Sequence, residues 1–414
     1  MTEPNNPKRG KQFHNYVTNV MYEMKSQSYD IVTFIDVDTL LTEPLLIGAL
    51  SSTVEKYKIL KSYITKENDS LFLYEDADFN IKDHIGFEYE PQTKFDTHMQ
   101  SLLNSSFSTK SKWKLLVLVD TSANKSRVFF KINHAYADGY QVIKILTSMF
   151  SISTPSGEDV TRKFKRLTSF PETVYQLFIG TILLILTNIQ FCITSLLKEF
   201  VSRPAQSLKE QSTEYIQCKP LDLQTIKEVT KKHSVTVNDF LYTCMIRTDY
   251  LYTQIKRNIY TVSAINISNT KNLNNLAPLF LNVNNDLECS ELLQQVHSIF
   301  NRCKYSAFIP LFSGFLNTLT PFLSSQLIST FYNSITNNAD YMYSNIIGPD
   351  LDGISVPISD IHFATVAKNR EIVFNIISCG DAVNIICSFK KGRIEDKERF
   401  QSCVEEAYKS LLAS

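Results

Sequence analysis

Two periods of apolar and polar positions run along the chain. A short apolar run over 31–35 is followed by Leu45, Leu46, Ala49, Leu50, Val54 and Tyr57 at helical spacing, which predicts a strand and then a helix with one buried face. Thr42 stands at the cap of that helix, and Pro44 falls in its first turn, where a missing amide costs nothing. Residues 115–119 and 128–132 are rich in strand formers and are separated by Thr121, Ser122, Asn124 and Ser126, as in a hairpin. Beyond Gly139, the positions Val142, Ile143, Ile145, Leu146, Met149 and Phe150 return to helical spacing. A strand, a tight turn and a helix are thus expected to meet at 134–139.

Farther on, 221–232 reads as a helix, and another starts near Thr236, where Thr236 and Asp239 have capping-box spacing. Residues 372–378 and 383–389 read as a hairpin turning at Gly380 and Asp381. Phe400, Val404, Ala407 and Leu411 mark a closing amphipathic helix. No internal repeat is visible.

Two long stretches lack charge. The first, 173–197, is long enough to cross a bilayer, since roughly 20 apolar residues suffice, but Gln176, Thr181, Thr187, Asn188, Gln190, Thr194 and Ser195 dilute it. A helix buried between domains is the alternative. Arg162, Lys163, Lys165 and Arg166 precede it, a cluster suited to an anionic cytoplasmic leaflet. The second stretch, 305–339, is broken by Pro310 and Pro321 and is not one span.

A length of 414 residues favours two globular domains, and 43% hydrophobic with 20% charged residues is ordinary for a folded chain. Net charge is zero, which removes the positive field of a sequence-independent phosphate binder and makes nucleic acid an unexpected partner. The eight cysteines are scattered singly and read as buried apolar residues in a reducing compartment. Residues 1–25 are polar, with Lys8, Arg9 and Lys11, and are expected to be a flexible lead-in rather than a signal or an anchor. His84, His98, His233, His297 and His362 lack metal-ligand spacing, so no metal and no cofactor are expected. There is no G-x-S-x-G elbow and no phosphate-binding glycine loop, which counts against hydrolases and kinases.

The candidate chemistry lies at the strand-turn-helix junction. If the strand over 128–132 continues to His134, alternation puts Val128, Phe130, Ile132 and His134 on one face. A neutral imidazole leading to an apolar interior can take the proton of a hydroxyl that attacks a thioester. It can equally be a satisfied core histidine. Asp138 is either part of that chemistry or the cap of the following helix, and Gly139 allows close backbone approach.

The run Asn133-His134-Ala135-Tyr136-Ala137-Asp138-Gly139 resembles the HHxxxDG signature of the wax ester synthase/diacylglycerol acyltransferase family, within the CoA-dependent acyltransferase superfamily. Further resemblances follow in family order. Asp76 to Ile85 (DADFNIKDHI) is similar to an upstream D-x-F-D-x-x-x-H-V segment, and Trp113 to a tryptophan before the second strand. Thr236-Val237-Asn238-Asp239 matches a TVND segment, and 272–282 a stretch that carries Gly-Asn in relatives but lacks the glycine here. Ser344-Asn345-Ile346-Ile347-Gly348-Pro349 is close to SNVPGP, with Ile347 in place of the proline. The resemblance covers about 31–411.

It implies an α/β fold of two chloramphenicol-acetyltransferase-like domains with an active-site tunnel between them. The expected divisions are a lead-in over 1–29, an N-terminal domain over 30–160, a basic then hydrophobic membrane-associating linker over 161–205, and a C-terminal domain over 206–414. It also implies acyl-CoA as donor, a long-chain alcohol or diacylglycerol as acceptor, and His134 as general base. Asp138 would hold the turn, Asn238 and Asp239 would support the fold, and Asn345 and Gly348 would lie near the tunnel or form a structural turn. Asn133 replaces the first histidine of the signature, and its effect is expected on packing more than on chemistry. Since both halves must face one tunnel, 173–197 is expected to lie in the membrane interface, form a re-entrant hairpin or pack between the domains, with the protein attached to the cytoplasmic face of the endoplasmic reticulum. Two other readings stand beside this one. The first is an inactive relative that binds lipid or scaffolds a membrane, and the second is an enzyme acting on a smaller alcohol or an amine.

Overall fold

The computed structural model describes residues 10–13, 16–23, 29–68, 70–150, 212–266, 276–305, 339–349, 351, 356–367 and 372–414, with positions 175, 178, 182 and 318. Nearly all of 173–197, the basic cluster before it and most of 305–339 lie outside the described residues.

The first half contains β1 (Lys11–Phe13), α1 (Tyr16–Glu23), β2 (Asp30–Val37), α2 (Glu43–Lys56), β3 (Ser62–Glu67), β4 (Ser70–Glu75), β5 (Ile85–Tyr89), α3 (Phe95–Asn104), β6 (Trp113–Asp120), β7 (Lys125–Asn133) and α4 (Gly139–Met149). The second contains β8 (Thr213–Gln217), β9 (Leu221–Asp222), α5 (Leu223–Lys232), α6 (Val237–Thr253), β10 (Asn258–Asn266), β11 (Leu276–Asn284) and α7 (Cys289–Tyr305). It ends with β12 (Tyr341–Ile347), β13 (Ile358–Thr365), β14 (Ile372–Cys379), β15 (Ala382–Lys390) and α8 (Lys397–Ala413). The expected α/β architecture is present.

One five-stranded sheet has the order β13-β2-β7-β6-β5, and β2, β7 and β6 are antiparallel neighbours. Both of its faces are apolar, which is why its strands read as nearly unbroken hydrophobic runs. Ile31, Ile35, Leu115, Val117, Val128, Phe130 and Ile132 join the main core with α2 and α4. Val32, Phe34, Leu116, Leu118 and Phe129 pack instead with Phe95, Met99, Leu102 and Leu103 of α3. Burying each such side chain is worth about 1.5–3 kcal/mol.

The larger sheet has seven strands in the order β11-β10-β12-β14-β15-β8, with β9 also on β15. Its centre, β10-β12-β14, is parallel. Helix α6 is sunk into the main core through Phe240, Leu241, Tyr242, Cys244, Met245 and Ile246. The wholly buried Asp249 at its end accepts from Arg257 at 2.6 Å, Tyr341 at 2.7 Å and Asn285 at 2.9 Å, which satisfies a charge that would otherwise be costly to bury.

The two halves are sewn together by backbone pairing. Strand β13, from the second half, pairs antiparallel with β2 of the first, Ile361 opposite Ile35. Its His362 is wholly buried, stacked on Phe34 at 4.6 Å between ring centroids and bonded to Asp360 at 2.7 Å. Asn104 of α3 accepts from the Thr213 amide at 2.8 Å and donates to its carbonyl at 2.9 Å, tying the start of β8 to the first sheet.

Local expectations hold with corrections. Thr42 occupies the cap position of α2 but makes no side-chain cap bond, and Leu45 is 59% exposed, off the face that buries Leu46 and Leu50. The helix expected from 221 starts at Leu223, because Leu221 and Asp222 are drawn into pairing with β15. The capping box at Thr236 and Asp239 is complete, and Gly380 turns the last hairpin with φ +56°. Six of the seven described cysteines are buried, Cys303 is half-buried, and none is in a disulfide. Burial pushes the Cys244 thiol up to about 12, so it behaves as a small apolar residue.

Candidate active site

Strand β7 ends at Asn133, one residue earlier than expected, and His134 opens the turn that follows. The sheet ladder still reaches it, because the His134 amide donates to the Tyr29 carbonyl at 3.1 Å. His134 is half-buried. On one side of it the Asn133 Oδ1 accepts from the Ala135 amide at 3.0 Å, an Asx turn. The Asn133 Nδ2 donates to Asp30 at 3.1 Å, which anchors the turn to the start of β2.

The rest of the turn is held as firmly. Tyr136 is buried, and its hydroxyl accepts from the Ile64 amide at 2.9 Å. Asp138, 2% exposed, accepts from the Gln141 amide at 2.8 Å and so caps α4. That bond is the cap expected as one of the two readings of Asp138.

Below the turn lies a buried ion pair not anticipated from the sequence. Lys131 Nζ sits 3.0 Å from Asp30 Oδ2, with the two side chains 1% and 2% exposed. The ammonium also donates to the carbonyls of Leu102 at 2.8 Å and Ser105 at 2.5 Å, so all three of its protons have acceptors. A lysine inside the otherwise apolar Val128-Phe129-Phe130-Lys131-Ile132 and an aspartate opening Asp30-Ile31-Val32 were the available signals.

The upstream segment is structural. His84 stacks on Trp113 at 4.3 Å, its Nδ1 is 2.9 Å from the Trp113 carbonyl, and burial holds its imidazole below the usual range. Trp113 donates from its indole to Leu60 at 2.6 Å and pairs in register with Ile132, which braces the end of β7.

From the second half, the structure brings Asn238 and Asn345 together. Asn345 Nδ2 donates to Asn238 Oδ1 at 3.1 Å, and the Tyr343 hydroxyl lies 3.3 Å from the same oxygen. Asp239 is wholly buried, with one oxygen accepting from the Thr236 amide at 2.9 Å and bonded to His297 at 2.7 Å. The two halves meet at Gly139, where a Cβ would lie 2.3 Å from Ile346 Cδ1, one residue from Asn345. The turn that begins at His134 therefore ends against the strand that carries Asn345.

Gly348 donates its amide to the Ser378 carbonyl at 2.7 Å, and a Cβ there would lie 2.4 Å from the same oxygen. Since backbone cannot swing aside as a side-chain tip can, Gly348→Ala is expected to cost about 1–3 kcal/mol, the usual range for overpacking. A urea-denaturation midpoint equal to that of the unaltered protein would contradict this. Ile347, which stands where the SNVPGP segment it resembles has proline, is 58% exposed.

Glu88, Glu90 and His98 bring possible ligand atoms within 4.8 Å of one another, although the spacing of His98 from the other histidines had suggested no metal site. The His98 ring bonds Glu90 at 2.9 Å, which accounts for that contact without an ion. Among the described residues no helix is long and apolar enough to cross a membrane.

Residues 274–412 match the family described as the WS/DGAT C-terminal domain. Comparison with curated protein sequences finds no match. Among solved structures, the chain is similar to a wax ester synthase/diacylglycerol acyltransferase from Marinobacter aquaeolei, with TM-score 0.60, 12% identity, and 96% of this chain and 98% of that one covered. It is also similar to a trichothecene 15-O-acetyltransferase from Fusarium sporotrichioides, with TM-score 0.66, 13% identity, and 99% and 98% covered. A polyketide synthase associated protein from Mycobacterium tuberculosis matches with TM-score 0.60, 10% identity, and 96% and 98% covered. Over nearly the whole chain the fold is thus the one seen in that wax ester synthase/diacylglycerol acyltransferase and that trichothecene 15-O-acetyltransferase.

Proposed function

We propose, for a chain whose residues 274–412 carry a WS/DGAT C-terminal domain, that the protein is an O-acyltransferase that moves a long-chain acyl group from acyl-CoA to a lipid hydroxyl. The observation that supports this most is the meeting of the His134 turn with the Asn345 strand at the contact of Gly139 with Ile346. A cleft between the halves would let a thioester and a hydroxyl approach one imidazole from opposite sides.

In this reading His134 takes the hydroxyl proton as the oxygen attacks the thioester carbonyl. A carbon-oxygen bond forms, the carbon-sulfur bond breaks, and the proton passes to the departing CoA thiolate. No covalent acyl-enzyme, metal or cofactor is required. The acceptor is a fatty alcohol, giving a wax ester, or diacylglycerol, giving triacylglycerol. Thiol release from palmitoyl-CoA by purified protein, with hexadecanol and diacylglycerol supplied separately, tests the reaction and chooses the acceptor. Release that no acceptor stimulates would sink it.

Both substrates partition into bilayers, so attachment to a membrane surface, at the cytoplasmic face of the endoplasmic reticulum, is part of the proposal. The basic residues 162–166 and the charge-free 173–197 support it. Detergent is expected to be needed for extraction from membranes, and full release by high salt alone would contradict this.

The departures Asn133 and Ile347 favour one second reading, a family member that binds acyl-CoA or lipid without turnover. It predicts saturable acyl-CoA binding and no free thiol.

A further inference from the structure

We propose that Asn133 is a positioning residue for His134, acting through one carboxamide that ties together the two sides of that residue. This rests on the reading of His134 as the base. The Asn133 Oδ1 accepts from the Ala135 amide at 3.0 Å, so the residues immediately before and after His134 are bonded to each other. Its Nδ2 donates to Asp30 Oδ1 at 3.1 Å. Asp30 is itself buried, and its other oxygen lies 3.0 Å from the buried Lys131 ammonium. The His134 amide is fixed to Tyr29, the residue before Asp30.

The clamp needs a short side chain with one acceptor and one donor, and a primary carboxamide supplies both. Alanine supplies neither. Serine can accept from the Ala135 amide but is too short to reach Asp30 as well. Loss of the clamp leaves the strand intact up to Ile132 and lets the His134 ring wander, and small misplacements of a reacting group are costly in rate.

Asn133→Ala and Asn133→Ser are compared with the unaltered full-length protein for kcat and KM with palmitoyl-CoA, thermal midpoint, and imidazole 1H–15N NMR signals. The His134 signals are assigned by their absence in His134→Ala. Expected are a kcat about tenfold or more lower in Asn133→Ala, a smaller loss in Asn133→Ser, KM nearly unchanged, and shifted or broadened His134 signals. Unmoved His134 signals overturn the proposal whether or not kcat falls, because a fall would then come from general loss of structure. If the unaltered protein releases no thiol, the acyltransfer reading fails, and the ring signals alone decide the role of Asn133.

Discussion

His134→Ala is expected to lower thiol release from palmitoyl-CoA by about 10²–10⁴-fold, the usual contribution of a general base. The backbone should be unaffected, because the His134 amide bond to Tyr29 and the Asx turn from Asn133 to Ala135 do not use the ring. Thermal midpoints within a few degrees of the unaltered protein would confirm that the loss is chemical. His134→Gln keeps a polar side chain of similar reach and should lose as much, since an amide does not accept a proton at neutral pH. Activity within threefold of the unaltered enzyme in either variant would remove His134 from the reaction.

Lys131→Ala should be the most destabilising single change near the site, by about 3–5 kcal/mol, read as a lower urea midpoint. The cost arises because Asp30, 2% exposed, loses its cation, while the carbonyls of Leu102 and Ser105 lose a donor. Replacing both members with apolar residues, as in Asp30→Leu with Lys131→Met, should recover much of this stability, since a buried pair contributes little beyond an apolar pair of like size. It should not recover activity, because Asn133 also donates to Asp30. A Lys131→Ala protein of unchanged stability would show that water reaches the pair in solution.

Both expectations concern residues about which the sequence was unequally informative. His134 was visible because a strand pattern, a short turn and a helix pattern converge on it, and because a carboxylate and a glycine follow at 138 and 139. Asp138 is seen as a cap, whereas the close neighbour at Gly139 is a side chain, that of Ile346, and not backbone. Lys131 was hidden, since a lysine in a hydrophobic strand does not declare whether it reaches solvent or a partner. Asp30, at the distant start of β2, supplies that partner. Asn238 and Asn345 were both marked by resemblance to family segments, yet nothing in their local patterns joined residues 107 apart.

What the sequence by itself determined are the features set by neighbours within a few residues. These include the β6-β7 hairpin, the Thr236–Asp239 capping box, the Gly380 turn and the buried stripe of α8, which carries Phe400, Val404, Ala407 and Leu411. Each depends on spacing of two to four residues, which periodicity and side-chain chemistry record directly. Tertiary structure alone decided that β13 joins the first sheet, that Leu221 and Asp222 pair with β15, that β7 stops at Asn133, and that Ile346 meets Gly139. Those outcomes depend on which distant edges find each other, and an apolar run states only that it will be buried, not against what.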